Sequence, residues 1–342
     1  MSLLSEAVSD IDLQKQGAAW VLRLFFALLL LAGSDLLLWF DLAVRSPGEW
    51  VLTGIGTLAL AALALDLSVR YRIRDIYDAM AVTTIYALLY GLLIVPELSY
   101  TNFPVTLVTR VLGAQALTAL ISFGVFAVLL HGTIPRYRRL IIPAALWLGF
   151  YRGVWLRWGA ELRDYFAPVS LEMMLLSIIP YVIVSLLCFL LVQRTSRTQT
   201  ASMLKFSLIE GLLLILVLLI IFMIRVAQGD IPSVAVVATL IIISVCIGIL
   251  YFRHEPENRM VMNAYVPPTP LSWGWIGLML VVFIGMSVIA YNLPLFGTGE
   301  IHQFWLMELG FSVVGFAWMP LIGTVVAFRG VDRQMRQGDW NI

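Results

Sequence analysis

The stretch "FSLIEGLLLILVLLIIFMI" (Phe206–Ile224) decides the fold. It holds one charged residue in 19, and Leu and Ile occupy every face of the helix it would form. An α-helix needs roughly 20 such residues to cross a ~30 Å hydrocarbon core. A second run, "VAVVATLIIISVCIGILYF" (Val234–Phe252), has the same character. Outward from these two, the composition agrees: 61% of the 342 residues are hydrophobic and 13% charged, with a mean hydropathy of +0.93. A soluble domain carries about a quarter charged residues. The expected fold is therefore all-α, a polytopic membrane helix bundle.

About ten spans are expected, near residues 18–40, 50–69, 77–96, 105–130, 139–158, 170–192, 204–226, 232–252, 272–293 and 304–328. Turn chemistry separates them: "RSPGEW", "YTNFP", "HGTIPRYRR", "QGDIP", "PPTP" and "LFGTGE" place Gly, Pro, Asn and Asp where helices stop. The chain reads as one membrane domain, with an N-terminal tail over 1–17, spans over 18–328 and a C-terminal tail over 329–342. No cleavable signal peptide is expected, because the first polar residues are net acidic and the apolar segment after them is too long.

Arginine placement predicts the orientation. Arg70, Arg72 and Arg74 follow the second span; Arg136, Arg138 and Arg139 the fourth; Arg194, Arg197 and Lys205 the sixth. Arg253 and Arg259 follow the eighth, and Arg329, Arg333 and Arg336 the tenth. The odd connections are nearly free of Lys and Arg, apart from the one after span five. Cytoplasmic loops hold the Lys/Arg excess, so both termini are expected on the cytoplasmic side of a cell membrane.

Ionisable residues inside spans cost a few kcal/mol each and need a partner or a wet cavity. With this topology, Asp35, Arg110, Arg152, Arg157, Glu172 and Glu308 gather in the outer half of the bilayer, while Arg23 and Glu210 lie toward the inner leaflet. Two readings stay open: an outward-facing polar vestibule that binds a substrate, or interhelical ion pairs and snorkelling residues that fix the packing. Pro180 and Pro320 fall mid-span and are expected to kink their helices, as broken transport helices do. Gly149 and Gly153 stand at G-x-x-x-G spacing, which allows close helix contact.

The fifth span ends in "LGFYRGVWLRWGAELRDYF" (Leu148–Phe166). On a helical wheel its aromatics share one face and Arg157 pairs with Glu161 at i,i+4, the pattern of a helix tipping into the interface. Arg152 lies too deep for that role.

Reaction signatures are absent. There is no G-x-S-x-G, H-E-x-x-H or P-loop, and Cys188, Cys246, His131, His254 and His302 form no nucleophile–base or ligand set. No catalytic residue, metal or cofactor is expected, and the net charge of +1 gives no reason to expect nucleic acid. Asp41 shares with the catalytic acid of some lipid-linked glycosyltransferases only an external-loop position, and that loop is short. The expected partner is the lipid bilayer. Three functions fit: a transporter-like protein moving a small molecule or lipid, a non-catalytic subunit of a larger membrane complex, and a membrane enzyme acting on a lipid-linked substrate at the outer leaflet.

Overall fold

The computed structural model describes residues 2–37, 46–96, 99, 102–131, 135–158, 170–176, most of 178–190, 201–254, 272–293, 310 and 312–337. Among these residues the chain is helical, with no strand. The elements are α1 (Ser2–Leu31), π1 (Ala32–Leu37), α2 (Pro47–Arg70), α3 (Ile76–Leu93), π2 (Leu107–Gln115), α4 (Ala116–His131), α5 (Pro135–Trp158), α6 (Leu171–Leu176), a short 3-10 helix (Ala201–Leu204), α7 (Leu208–Gln228), α8 (Ser233–Phe252), α9 (Trp273–Tyr291), π3 (Ala317–Gly323) and α10 (Thr324–Gln337). Here α denotes ordinary α-helix and π the wider i→i+5 form.

Among the described residues seven helical stretches are long and apolar enough to cross a membrane, which fits a multi-pass membrane protein: Gly17–Ser34, Pro47–Arg70, Ile76–Leu93, Leu107–Ala127, Leu208–Gln228, Ser233–Phe252 and Trp273–Tyr291. They match seven of the ten expected spans. The other three fall on α5, whose apolar part is the shorter Ile141–Val154, on the partly described 170–190 stretch, and on the 304–328 stretch, of which 304–309 lie outside the described residues.

Helix starts follow local chemistry. Before α2, the Ser46 hydroxyl accepts from the Glu49 N–H at 3.3 Å while the Glu49 carboxylate accepts from the Ser46 N–H at 2.7 Å. Ser207 and Glu210 repeat this reciprocal cap before α7. Asp75 caps α3 by accepting from the N–H groups of Tyr77 and Asp78. α7 ends on Gly229 at φ +78°, where a side chain would be strained.

α3 is the central helix. Within its membrane-length window 78% of residues are buried, against 17% in α7 and 28% in α8, whose Leu, Ile and Val side chains point outward. An aqueous protein would bury such faces; here they are the lipid boundary. A large apolar cluster joins α1, α2, α3, π2, α4 and α8, and within it the rings of Phe25, Phe26, Phe123 and Phe126 pack in tilted and edge-on pairs.

Two sets of contacts mark opposite ends of the bundle. At one, Asp66 near the end of α2 accepts from the Phe206 N–H at 2.7 Å, and Arg253 just past α8 bonds Asp75 and Asp78 at the start of α3. Arg23 of α1 pairs there with Glu210 at 2.8 Å. At the other, Arg225 of α7 donates to the terminal carbonyls of α3, Leu93 and Ile94, at 3.2 and 2.8 Å, and pairs with Asp230 at 3.3 Å. A cation on the last carbonyls of a helix satisfies groups that have no intrahelical partner.

Gly149 and Gly153 of α5 lie against α9. A Cβ at Gly149 would stand 2.5 Å from the Phe283 carbonyl oxygen, and one at Gly153 would collide with that of Ser287. The G-x-x-x-G spacing thus brings two backbones into contact, as its sequence implied.

Candidate functional site

The polar side chains of α3 build the site. Thr83, Thr84, Tyr86 and Tyr90 are all buried, and the Tyr86 and Tyr90 rings lie 5.5 Å apart. At 1.5 Å per residue, Thr84 and Tyr86 stand about 12 and 15 Å from the start of α3, near mid-membrane. The three π-helical segments bring further polar groups around this helix.

From π1, the Ser34 hydroxyl lies 3.2 Å from the Tyr86 hydroxyl. From π2, the Gln115 amide N–H donates to the Ser34 carbonyl at 3.4 Å. From π3, the Trp318 indole N–H donates to the Thr84 hydroxyl at 2.8 Å. Ser34, Thr84, Gln115 and Trp318 are at most 6% exposed. The result is a seam of uncharged polar groups through the interior. One member stays unsatisfied: the buried carbonyl oxygen of the Gln115 side chain has no hydrogen-bond partner among the described residues. Burying such an acceptor without a partner costs about 1–3 kcal/mol.

The π geometry has physical causes nearby. Pro320 lies in π3, and a proline cannot donate the i→i−4 bond that keeps a helix α. Small residues let the wider turns pack closely. Gly33 of π1 faces Ser122 and Thr118 of α4, where a Cβ would stand 2.7 Å from the Ser122 hydroxyl, and Gly315 meets the backbone of π2 at Val108. π-helical turns are rare and recur at functional sites.

Beside the seam, Leu29, Gly33, Ser122, Leu148, Met279 and Phe283 line a crevice of about 100 Å³ that is mostly apolar. It sits between α1, π1, α4, α5 and α9, and its wall residue Gly33 is the chain neighbour of Ser34.

No protein-family model matches the chain, and neither a curated protein nor a solved structure resembles it detectably. The site therefore has to be read from its own chemistry.

The charged residues singled out in the sequence occupy different settings. Arg152 on α5 is 2% exposed. It neighbours Tyr151, which belongs to a cluster with Ala114 of π2 and Phe283 of α9, against which Ala32 of π1 packs. That cluster ties the Arg152 helix to two of the π segments. Arg157 is half-buried, with its guanidinium 5.7 Å from the centre of the Tyr291 ring. Arg110 lies half-buried on π2. Glu172 is exposed in the first turn of α6, and Pro180 is half-buried in the helical turn beyond. Asp35 stands on π1, but its side chain, like all of Glu308 and the side chain of Pro320, lies outside the described residues. The remainder of the Leu148–Phe166 stretch, from residue 159, also lies outside them, including Glu161, the expected partner of Arg157.

Sequence reasoning followed charge and so passed over Ser34, Thr84, Tyr86, Gln115 and Trp318. The available signal was an amide within the apolar "VLGAQALTALI" and a Thr-Thr pair within "AMAVTTIYALLY". Among the described residues no group of His, Cys, Asp and Glu has the geometry of a metal site.

Proposed function

We propose that the protein is a transporter-like carrier that moves a small molecule or a lipid across a cell membrane, with the Gln115 seam as its substrate contact and the arginine-rich end cytoplasmic. The single observation that carries this reading is the buried, unsatisfied Gln115 carbonyl where π2 meets π1. A polar group held without a partner near mid-membrane suits a site whose partner arrives from outside. Transporter sites characteristically lie near mid-membrane where helices depart from regular geometry. The apolar crevice beside Gly33 and Ser122 suits an apolar part of that substrate. In this reading the ten expected spans form the carrier, and Asp35, Arg110, Arg152 and Glu308 line the route from the outer face to the seam.

The test compares membranes from cells carrying the wild type, Gln115→Leu, Arg152→Ala or no protein. Small molecules and lipids on the two sides are measured by mass spectrometry. Gln115→Leu is expected to keep normal membrane abundance and thermal stability yet leave a distribution like that of cells without the protein. Full wild-type distribution in Gln115→Leu overturns the seam as the site. Fixed stoichiometric partners in mild detergent, with no change in distribution, favour the complex-subunit reading instead. A changed lipid structure, rather than location, favours the enzyme.

A further inference from the structure

Away from the seam, at the arginine-rich end, a cavity of about 400 Å³ opens where α3, α8 and α10 meet. Tyr77, Phe252, Arg253, Val325, Arg329 and Gly330 are among its walls. Tyr77 is one residue into α3, and Phe252 closes α8, so the mouth of the cavity is at the membrane–water interface.

Its charges divide into a fixed set and a free one. Arg253 donates from Nε to Asp78 at 2.7 Å and from Nη2 to Asp75, which leaves Nη1 without a bond among the described residues. Arg74 faces Asp78 from 3.7 Å. Two arginines thus balance two aspartates. Burial opposes the Arg253 charge, but the bonds and charges of Asp78 and Asp75 more than offset this and hold its pKa above the ordinary arginine value. Arg329 has no such balance. It is exposed and forms no ion pair among the described residues.

The wall below Arg329 is apolar. Ile322 and Val325 precede it on the same strip of helix, about two turns or ~10 Å of axial length. Gly330 lets α10 approach the end of α8 at this wall, since a Cβ there would stand 3.0 Å from the Cβ of Phe252. A cation at the water level above an apolar slot matches an amphiphile with a negative head and a hydrocarbon tail.

We propose that this cavity is a binding site for an anionic phospholipid, with the phosphate on Arg329 and Arg253 and the first acyl segment along Val325, Ile322 and Phe252. Basic pockets between membrane helices bind such headgroups through charge that a free aqueous anion also meets, but only a lipid gains from the slot beneath.

Native mass spectrometry of the full chain tests it, counting phosphatidylglycerol against phosphatidylcholine retained after exchange from mixed detergent. The wild type is expected to retain phosphatidylglycerol preferentially. Arg329→Ala should reduce that retention about fivefold, the factor that corresponds to ~1 kcal/mol per interfacial cation. Arg329→Lys should keep most of it, and Gly330→Leu should exclude both lipids. Lys205→Ala removes an exposed cation elsewhere at the same end and should change nothing. Equal retention in the wild type and Arg329→Ala overturns the site, as does an equal loss in Lys205→Ala. Displacement of the lipid by inorganic phosphate alone would overturn the role of the slot.

Discussion

At the scale of single residues, Arg23 and Glu210 form a pair that sequence spacing does not disclose, unlike Arg70 with Asp66 and Arg74 with Asp78, which stand at i,i+4. Arg23 is wholly buried, bonded to Glu210 187 positions away, and its guanidinium lies 4.6 and 4.7 Å from the ring centres of Trp20 and Phe206. Removing one partner of such a pair leaves the other charge stranded, which costs more than replacing both. Arg23→Ala is expected to destabilise the protein by about 3 kcal/mol. The double variant Arg23→Met with Glu210→Gln should lose clearly less, as read from thermal unfolding in detergent. An additive pair of losses would show that the two side chains do not act together. That both residues sit toward one leaflet was legible from topology; their pairing was not, because it depends on how α1 and α7 meet. The same limit hid the seam. Gln115 and Trp318 look unremarkable in apolar runs until packing brings them to Ser34 and Thr84.

At the scale of elements, contact between α5 and α9 depends on the absence of side chains at two positions. Gly149 and Gly153 were readable from their four-residue spacing, because one helical face is fixed by the 3.6-residue turn. Neither the partner helix nor its register was readable. Gly153→Leu would drive a side chain into the Ser287 and Ala290 backbone region, and such overpacking typically costs 1–3 kcal/mol, occasionally more. The expected outcome is a lower thermal midpoint and easier separation of α5 from α9, seen as faster proteolysis near Trp158. Gly211→Leu, on α7 where a Cβ meets nothing within 4 Å, should leave the midpoint unchanged. A similar loss from both would mean that bulk, rather than this contact, limits stability. Two of the three π segments had no sequence signature. Hydrophobic periodicity cannot separate one wide turn from an α turn, and only Pro320 marked a place where regular bonding had to fail.

At the scale of the whole molecule, hydropathy was sufficient for the fold class because the bilayer demands a helix at every crossing. The two most apolar spans, Leu208–Gln228 and Ser233–Phe252, are also the easiest to read. α5 is harder to read because Arg136, Arg138, Arg139, Arg152 and Arg157 stand along it beside Pro143. Relative direction follows from contacts: Asp66, Arg253 and Glu210 meet their partners at one end, and Arg225 meets Leu93 and Ile94 at the other. The side of the membrane rests on the arginine excess at the first end. Cysteine labelling tests it. Cys246 is fully buried, so Cys188→Ser is the one change made to prepare the background. In that background Lys205→Cys and Asp230→Cys stand at opposite ends of the short path along α7. In intact cells a membrane-impermeant maleimide is expected to label Asp230→Cys and to reach Lys205→Cys only after the membrane is opened. The reverse pattern would invert the bundle, place the Arg329 cavity at the outer face, and make the Arg225–Asp230 end the cytoplasmic one. Labelling of both positions in intact cells would mean that α7 does not cross the membrane, and the seven-span reading would fall with it.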